Sequence, residues 1–447
     1  MTAQEIGTEA GREIEALMRL HPKGFDLSLD RIRRLLADLG NPQDRLPPVV
    51  HVAGTNGKGS ATAFCRSILE AAGLSVHVHT SPHLVNWHER YRLGRRGGTG
   101  TLVDDETLAD AVRRVARAND GQPITVFEIL TAVTFLLFAE HPADAAIIEV
   151  GLGGRFDATN VVPHPAVSLI MPISLDHQAY LGDRVELIAA EKAGIIKPGV
   201  PVVVGSQEFD AALDVVVAIA ERNRAPAFVF GQDFSAHEEQ GRLVYQDEFG
   251  LMDLPLPRLP GRHQHANAAA AIRALKAAGL PIDETAVEAG LAHVEWPARM
   301  QRLTEGKLFA CVPDDAELWL DGGHNPGAGD VIAEAVAELE ERIPRPLFLI
   351  AGMISTKDPI GYFQAFQGMA RHVFTVPIRG SDAGIDPLVL ADDAAEAGLS
   401  AEPVESVAEA LTMIGETWAS QPAPRILICG SLYLAGDVLA DNGTPPR

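Results

Sequence analysis

Apolar, β-branched runs alternate with helix-length stretches along almost the whole 447-residue chain, and this alternation restricts the fold more than any other feature. Strand candidates are Val49–Ala53, Ser75–His79, Ala145–Val150, Ala166–Met171, Pro201–Val204 and Ala227–Phe230. Helices are expected over Gly59–Ala72, Asp104–Ala118, Val126–Glu140, Val185–Ala193, Ala211–Arg222 and His265–Ala278. Strands separated by helices favour a mainly parallel sheet covered on both faces. Glycine and proline gather in DLPLPRLPG (253–261), and a second break falls at HVEWPAR (293–299). Beyond it the pattern restarts, with strands at Glu317–Leu320, Leu347–Ala351, His372–Val376 and Arg425–Cys429 and helices at Ala328–Arg342 and Ser406–Ala419. Two domains are therefore expected, residues 1–296 and 297–447. The short GRRGGTG (94–100) reads as a flexible hairpin tip.

The segment VVHVAGTNGKGS (49–60) is a strand, a glycine-rich turn and the start of a helix. Such a turn lets backbone N–H groups close around a polyphosphate, and the helix N-terminus adds positive potential. Lys58 can reach the β- and γ-phosphates, and the Ser60 hydroxyl can approach Mg²⁺. The spacing departs from GxxxxGK[ST]: the first glycine lies two residues closer to the GK pair, and Gly59 separates lysine from serine. A turn between strand and helix needs no ligand, but the lysine and serine within it favour a nucleotide. The residues expected to hold that nucleotide, ATP by the resemblance given below, are Thr55, Asn56, Gly57, Lys58, Gly59 and Ser60. The expected fold class is thus α/β, an N-terminal P-loop NTPase-like domain with a mainly parallel sheet plus a smaller C-terminal Rossmann-like α/β domain.

Charge narrows the partners. With 60 acidic against 37 basic residues the formal charge is −23, which disfavours nucleic acid and anionic membranes. An anionic substrate must then be held by local cations, backbone N–H groups or metal. Cys65, Cys311 and Cys429 are far apart and odd in number, so neither a disulfide framework nor a zinc site is expected. The N-terminal segment lacks the pattern of a secretory signal. The longest apolar stretch, Ile129–Ala139, is well short of the roughly 20 residues that span a bilayer. A cytoplasmic chain follows.

Several further residues suit nucleotide chemistry. Glu149 ends the strand AAIIE and precedes GLGGRFDATN (151–160), at the edge where α/β sheets bind ligands, and could coordinate Mg²⁺. GLGGRF lacks the GxGxxG spacing of a dinucleotide site. His177 in SLIMPISLDHQAYLG and Lys192 in EKAGI also read as structural and solvated side chains respectively. Asn267, in an alanine-rich helix, has the donor and acceptor that an adenine edge requires. Arg299, in the hinge, could clamp phosphates on closure. Asp321 ends ELWLD and opens DGGHNPGA, with His324 and Asn325 beside it.

HVAGTNGKGS, followed by TSPHL (80–84), resembles the folylpolyglutamate synthase/dihydrofolate synthase family of the Mur-ligase superfamily, and the resemblance runs through nearly the whole chain. It implies an ATP-dependent, ADP-forming ligase that adds L-glutamate to dihydropteroate and to folates through an acyl phosphate. By the same resemblance Ser81 and Glu149 hold one Mg²⁺ and His177 a second. Lys192 would be carbamylated, its anionic product orienting Mg²⁺. Lys58, Lys192 and His177 are then the catalytic set. Asn267, Arg299, Asp321 and His324 supply the remaining ATP contacts, Asp321 at the ribose. LHPKGFDLSLDRI (20–32) resembles a loop over the pterin, which assigns Leu20, His21, Pro22 and Lys23 to substrate. Thr125, Val126, Phe127 and Glu128, with Phe156, Asp157 and Ala158, match segments lining the pteroate site. Lys357 and Asp358 are candidates for the incoming glutamate. No tightly bound organic cofactor is expected, and the family pattern implies a monomer. Two alternatives stand beside this reading: a Mur-type ligase acting on a UDP-linked peptidoglycan precursor, and a binding module that hydrolyses ATP as a switch.

Overall fold

The computed structural model describes residues 7–20, 28–379, 381–418 and 422–447. Its larger sheet contains β1 (Val49–Ala53), β2 (Val76–His79), β3 (Tyr91–Arg95), β4 (Gly98–Leu102), β5 (Ala145–Glu149), β6 (Val167–Ile170), β7 (Val202–Val204) and β8 (Ala227–Val229). The spatial order is β4–β3–β2–β5–β1–β6–β7–β8. Six of these strands, from β2 through β8, run parallel, and β3 and β4 add an antiparallel hairpin at one edge. Every residue of β1, β5, β6 and β7 is buried, as continuous apolar strands covered on both faces must be.

Helices α1 (Lys58–Ala71), α2 (Val126–Glu140), α3 (Val185–Lys192), α4 (His263–Ala277) and α5 (Pro326–Arg342) carry the residues that matter below. On one face of the sheet, α1 and α4 pack Phe64, Ile68 and Ala268–Ala271 against Val50 and Val52. On the other, α2 packs Ile129, Val133 and Phe138 against Ala146 and Ile148. A three-stranded antiparallel sheet follows, made of β9 (Ser235–Glu239), β10 (Arg242–Asp247) and β11 (Gly250–Pro255).

The second domain is a mixed sheet of β12 (Gln301–Leu303), β13 (Glu317–Leu320), β14 (Leu347–Ala351), β15 (Ala370–Thr375), β16 (Ala401–Pro403) and β17 (Arg425–Cys429). Its order is β12–β13–β17–β14–β15–β16, parallel except for β12. It has its own apolar layers, around Leu320, Ile350 and Ile428 on one side and Leu349, Tyr362 and Leu427 on the other. A large, mostly parallel sheet joined to a second α/β domain is the fold class the alternation predicts.

The correspondence is closest for buried elements and weakest for exposed ones. GRRGGTG is not simply a flexible tip: Gly98–Leu102 forms β4 and pairs with β3, leaving Arg96 and Gly97 as the turn. The β9–β11 sheet and the helices Glu284–His293, Pro387–Glu396 and Leu432–Asn442 have no counterpart among the expected elements. Ser235–Glu239 (SAHEE) has no buried position, so its polar sequence gives no strand period. The helix expected over Ser406–Ala419 is seen over Val407–Thr417, and Ala419 lies outside the described residues.

Candidate functional site

Because β1, β2, β5 and β6 are parallel neighbours, the segments that follow them leave the sheet at one edge. That single fact brings the glycine-rich loop, Ser81, Glu149 and His177 to the same edge from positions as far apart in sequence as Gly57 and His177. The loop is tied down by its neighbour strand: the Thr55 and Asn56 N–H groups donate to Pro172 O at 2.8 and 3.2 Å. Thr55 Oγ1 donates to Ser174 O and accepts from Ser174 N, both at 3.1 Å. Gly57 caps α1 at φ +78, and a Cβ there would lie 2.9 Å from Asn267 Oδ1. Asn267 therefore lies directly against the loop, its Nδ2 donating to Gln264 Oε1 at 3.0 Å. Gln264 in turn donates to the buried Ser60 Oγ at 3.3 Å.

Two lysines converge on one carbonyl. Lys58 Nζ donates to Gly54 O at 3.0 Å and to Thr55 O at 3.2 Å, and Lys192 Nζ, from the end of α3, donates to Gly54 O at 2.9 Å. Burial pushes the Lys58 ammonium down, with Arg299 and Lys357 adding to the effect and Glu149 and Asp176 opposing it. Lys192 is buried, and desolvation, joined by the Lys58 charge, lowers its pKa to about 7. A substantial fraction of its amine is thus neutral near pH 7.

Glu149 is buried at the end of β5; burial raises its pKa, against the pull of Lys58 and Arg299 and a hydrogen bond from the Ser81 N–H. The Ser81 Oγ is buried and has no hydrogen-bond partner. A carboxylate beside an unpartnered hydroxyl is a donor set suited to a hard divalent cation. His177 has φ +52, and its ring is exposed on one side. Partial burial, with Lys357, Lys192 and Lys58 nearby and Asp176 opposing, lowers its pKa to about 4, so the imidazole is neutral, as a metal ligand must be. Among the described residues no group of three or more His, Cys, Asp or Glu side chains is placed to hold a metal ion by itself. A divalent ion here would depend on few protein ligands, phosphate oxygens and water, which Mg²⁺ tolerates.

The second domain reaches this edge through the segment that joins it to the first. Ala298 and Met300, on either side of Arg299, adopt φ +54 and +41. Such strained positions persist only when held: Met300 N donates to Asp321 Oδ2 at 2.7 Å and Ala298 N to Gln301 Oε1 at 3.0 Å, while Asp321 Oδ1 accepts from Gly323 N at 2.7 Å. Asp321 is buried, which raises its pKa against the nearby Arg299 cation. His324 Nδ1 faces Gly322 O at 2.9 Å, and burial followed by the Lys357 charge lowers its pKa to about 4. Asn325 contacts the phosphate loop, its Nδ2 donating to Asn56 Oδ1 at 3.1 Å. A cleft of about 620 Å³ between the domains is lined by Gly59, Ser81, Glu149, Trp296, Arg299 and Arg302, among others.

The segments assigned to the acid substrate form a second group. Thr125 caps α2, its Oγ1 accepting from Glu128 N at 3.2 Å while Glu128 Oε2 accepts from Thr125 N at 2.8 Å. Arg31 Nε also donates to Glu128 Oε2, at 3.0 Å, and Glu128 Oε1 is buried without a partner. Val126 and Phe127 are half-buried, and the Phe127 ring packs so closely on Gly151 that a Cβ there would lie 2.3 Å from Cζ. Phe156 is half-buried beneath the Arg155 guanidinium, 5.0 Å from its ring, and Ala158 is buried. Asp157 is already engaged, accepting from Gly151 N, Leu152 N and Thr159 N at 3.1, 2.9 and 2.9 Å. Its carboxylate shapes this loop. Leu20 ends the helix Glu9–Leu20, while His21, Pro22 and Lys23 lie outside the described residues.

Sequence reasoning passed over Asp176, although it is adjacent to His177. Its carboxylate accepts from Lys357 Nζ at 2.6 Å, a partner 181 residues away that no local pattern could reveal.

A chain that sets a lysine-bearing, glycine-rich loop and a strand-edge carboxylate against a second α/β domain has the construction of a Mur-type, ADP-forming amide ligase, and residues 52–275 match the Mur ligase middle domain. The chain belongs to the folylpolyglutamate synthase/dihydrofolate synthase family. It is 34% identical to the folylpolyglutamate synthase of Lacticaseibacillus casei over 91% of this chain and 92% of that protein. It superimposes on E. coli FolC in complex with DHPP and ADP with a TM-score of 0.84 at 30% identity, covering 98% of each chain. A bifunctional folylpolyglutamate synthase/dihydrofolate synthase with Mn, AMPPNP and L-glutamate bound gives a TM-score of 0.81 at 29% identity, covering 98% of this chain and 99% of that one.

Proposed function

We propose that this ligase adds L-glutamate both to dihydropteroate and to folates, acting as a dihydrofolate synthase and a folylpolyglutamate synthase. The observation that carries this reading is the meeting of Lys58, Lys192, Glu149 and the unpartnered Ser81 hydroxyl at one sheet edge, facing the hinge of the second domain. In this reading the division falls at residues 1–296 and 297–447, the cofactors are ATP and two Mg²⁺ ions, and the enzyme is a cytoplasmic monomer. Among the described residues no helix is long and apolar enough to cross a membrane.

The reaction has two steps. A carboxylate oxygen of the acid attacks the γ-phosphorus of ATP, and ADP leaves. The glutamate amine nitrogen then attacks the acyl carbon; phosphate leaves, and the amine loses a proton. Mg²⁺, when bound, neutralises phosphate oxygens so that two anions can approach. The protein groups act as follows. N–H groups of Thr55–Ser60 cradle the phosphates, and Lys58 swings from Gly54 O to the transferring phosphoryl oxygens. Ser81, Glu149, His177 and a carbamylated Lys192 would hold the metal; the neutral fraction of Lys192 supports that modification. Asn267, Asp321 and His324 hold the nucleoside side, and Arg299 clamps the phosphates from the hinge. Thr125–Glu128 and Phe156–Ala158, with residues 20–23, hold the pteroate, Phe127 stacking on the flat ring and Glu128 Oε1 taking a ring N–H. Closure of the second domain keeps water from the acyl phosphate.

Omitting each substrate in turn tests the assignment. ADP formation should require glutamate together with dihydropteroate or tetrahydrofolate, and mass spectrometry should find the new amide. ADP release indifferent to both acids would refute it, and turnover with a UDP-linked peptide precursor would assign the chain to another Mur-type substrate.

A further inference from the structure

We propose that Asp176 and Lys357 form an interdomain latch that positions the closed enzyme around the acyl phosphate and couples closure to the phosphate loop. The inference rests on the ligase reading above, and it concerns two residues outside its nucleotide, metal and pteroate sets. Lys357 Nζ donates to Asp176 Oδ1 at 2.6 Å, with side chains only 5% and 9% exposed. One belongs to the segment after β6, the other to the segment after β14. Asn325 Nδ2 links this carboxylate, at 3.3 Å, to Asn56 of the phosphate loop, at 3.1 Å, and Asn56 Nδ2 returns a bond to Asn325 Oδ1 at 3.4 Å. His324 and His177 complete the surroundings of Asp176, with Nε2 atoms 3.8 and 4.0 Å from Oδ2.

A buried ion pair inside one domain adds little net stability, because desolvation offsets the attraction. A pair between two domains acts differently. It exists only when the domains are closed, so it biases the open–closed equilibrium, and its geometry tolerates little displacement. The Asn325–Asn56 bridge makes the same closed state sensitive to the phosphate loop. Opening before the amine arrives would admit water to the acyl phosphate and waste ATP.

The test uses the full chain, measuring amide formed per ADP released, and small-angle scattering with and without AMPPNP. Lys357→Met and Asp176→Asn should each lower the amide-to-ADP ratio by roughly tenfold or more and abolish compaction on AMPPNP. Lys357→Arg, which keeps the cation, should retain both in large part. Should the single variants fail to fold, Asn325→Ser keeps a helix-capping oxygen, removes the amide bridge and should show the same defects at smaller amplitude. Unchanged coupling and compaction, with only the KM for glutamate raised, would overturn the latch and make Lys357 a substrate contact. The scattering arm involves neither acid nor amine, so it stands or falls independently of the substrate assignment.

Discussion

Lys58→Ala is expected to slow glutamate-dependent ADP formation by about 10²–10³-fold while leaving the chain folded. The two consequences separate because of where the ammonium sits. Its partners are the carbonyls of Gly54 and Thr55, and Gly54 O retains the bond from Lys192. Removing the cation ends its desolvation and its repulsion from Lys192, Arg299 and Lys357, which offsets the lost attraction of Glu149 and Asp176. The folded state therefore loses little. The transferring phosphoryl group, by contrast, loses the only lysine of the phosphate loop. Initial rates and a thermal melt on the same preparation check both halves, and near-normal turnover would remove Lys58 from the mechanism.

Lys192→Ala should cost on the order of 100-fold in activity, with partial recovery in high acetate, which can stand in for the missing carboxylate. In the native enzyme, activity should fall when CO₂ and bicarbonate are stripped from the buffer. The pH dependence has a definite sign. Carbamylation needs the neutral amine, and burial has lowered this group to about 7 from the usual lysine value. The neutral fraction is therefore largest above about pH 7 and declines as pH falls through that value. Rates measured across this range, with and without added bicarbonate, should diverge most on the acid side. A Lys192→Ala enzyme with full activity, or a native enzyme insensitive to CO₂, would count against the modified lysine.

How much of this could be read from the chain depended on what each residue answers to. The strands β1, β5, β14 and β17 were legible because they are buried on both faces, so their composition reflects little but burial. The α2 helix was legible for a related reason, with a Thr125–Glu128 capping box marking its start. The polar β9 strand and the short β16 carry little apolar pattern and were invisible. At the site, the glycine-rich loop was legible through its glycines, lysine and serine between a strand and a helix, and Glu149 through its place at a strand end. Asp176, Asn325 and Lys357 meet only because two domains face each other, and such a meeting leaves no trace within any window of sequence. Asp157 illustrates the converse. Its motif suggests a ligand contact but gives no sign that its carboxylate also accepts three backbone N–H groups of its own loop.

The most direct test is a crystal grown with AMPPNP and Mn²⁺, with the metal located by its anomalous scattering. The triphosphate should lie along the N–H groups of Gly57–Ser60, with a metal peak within bonding distance of Ser81 Oγ and the Glu149 carboxylate. A triphosphate bound away from that loop, or a metal remote from the β2 and β5 strand ends, would contradict the arrangement from which the chemistry was derived.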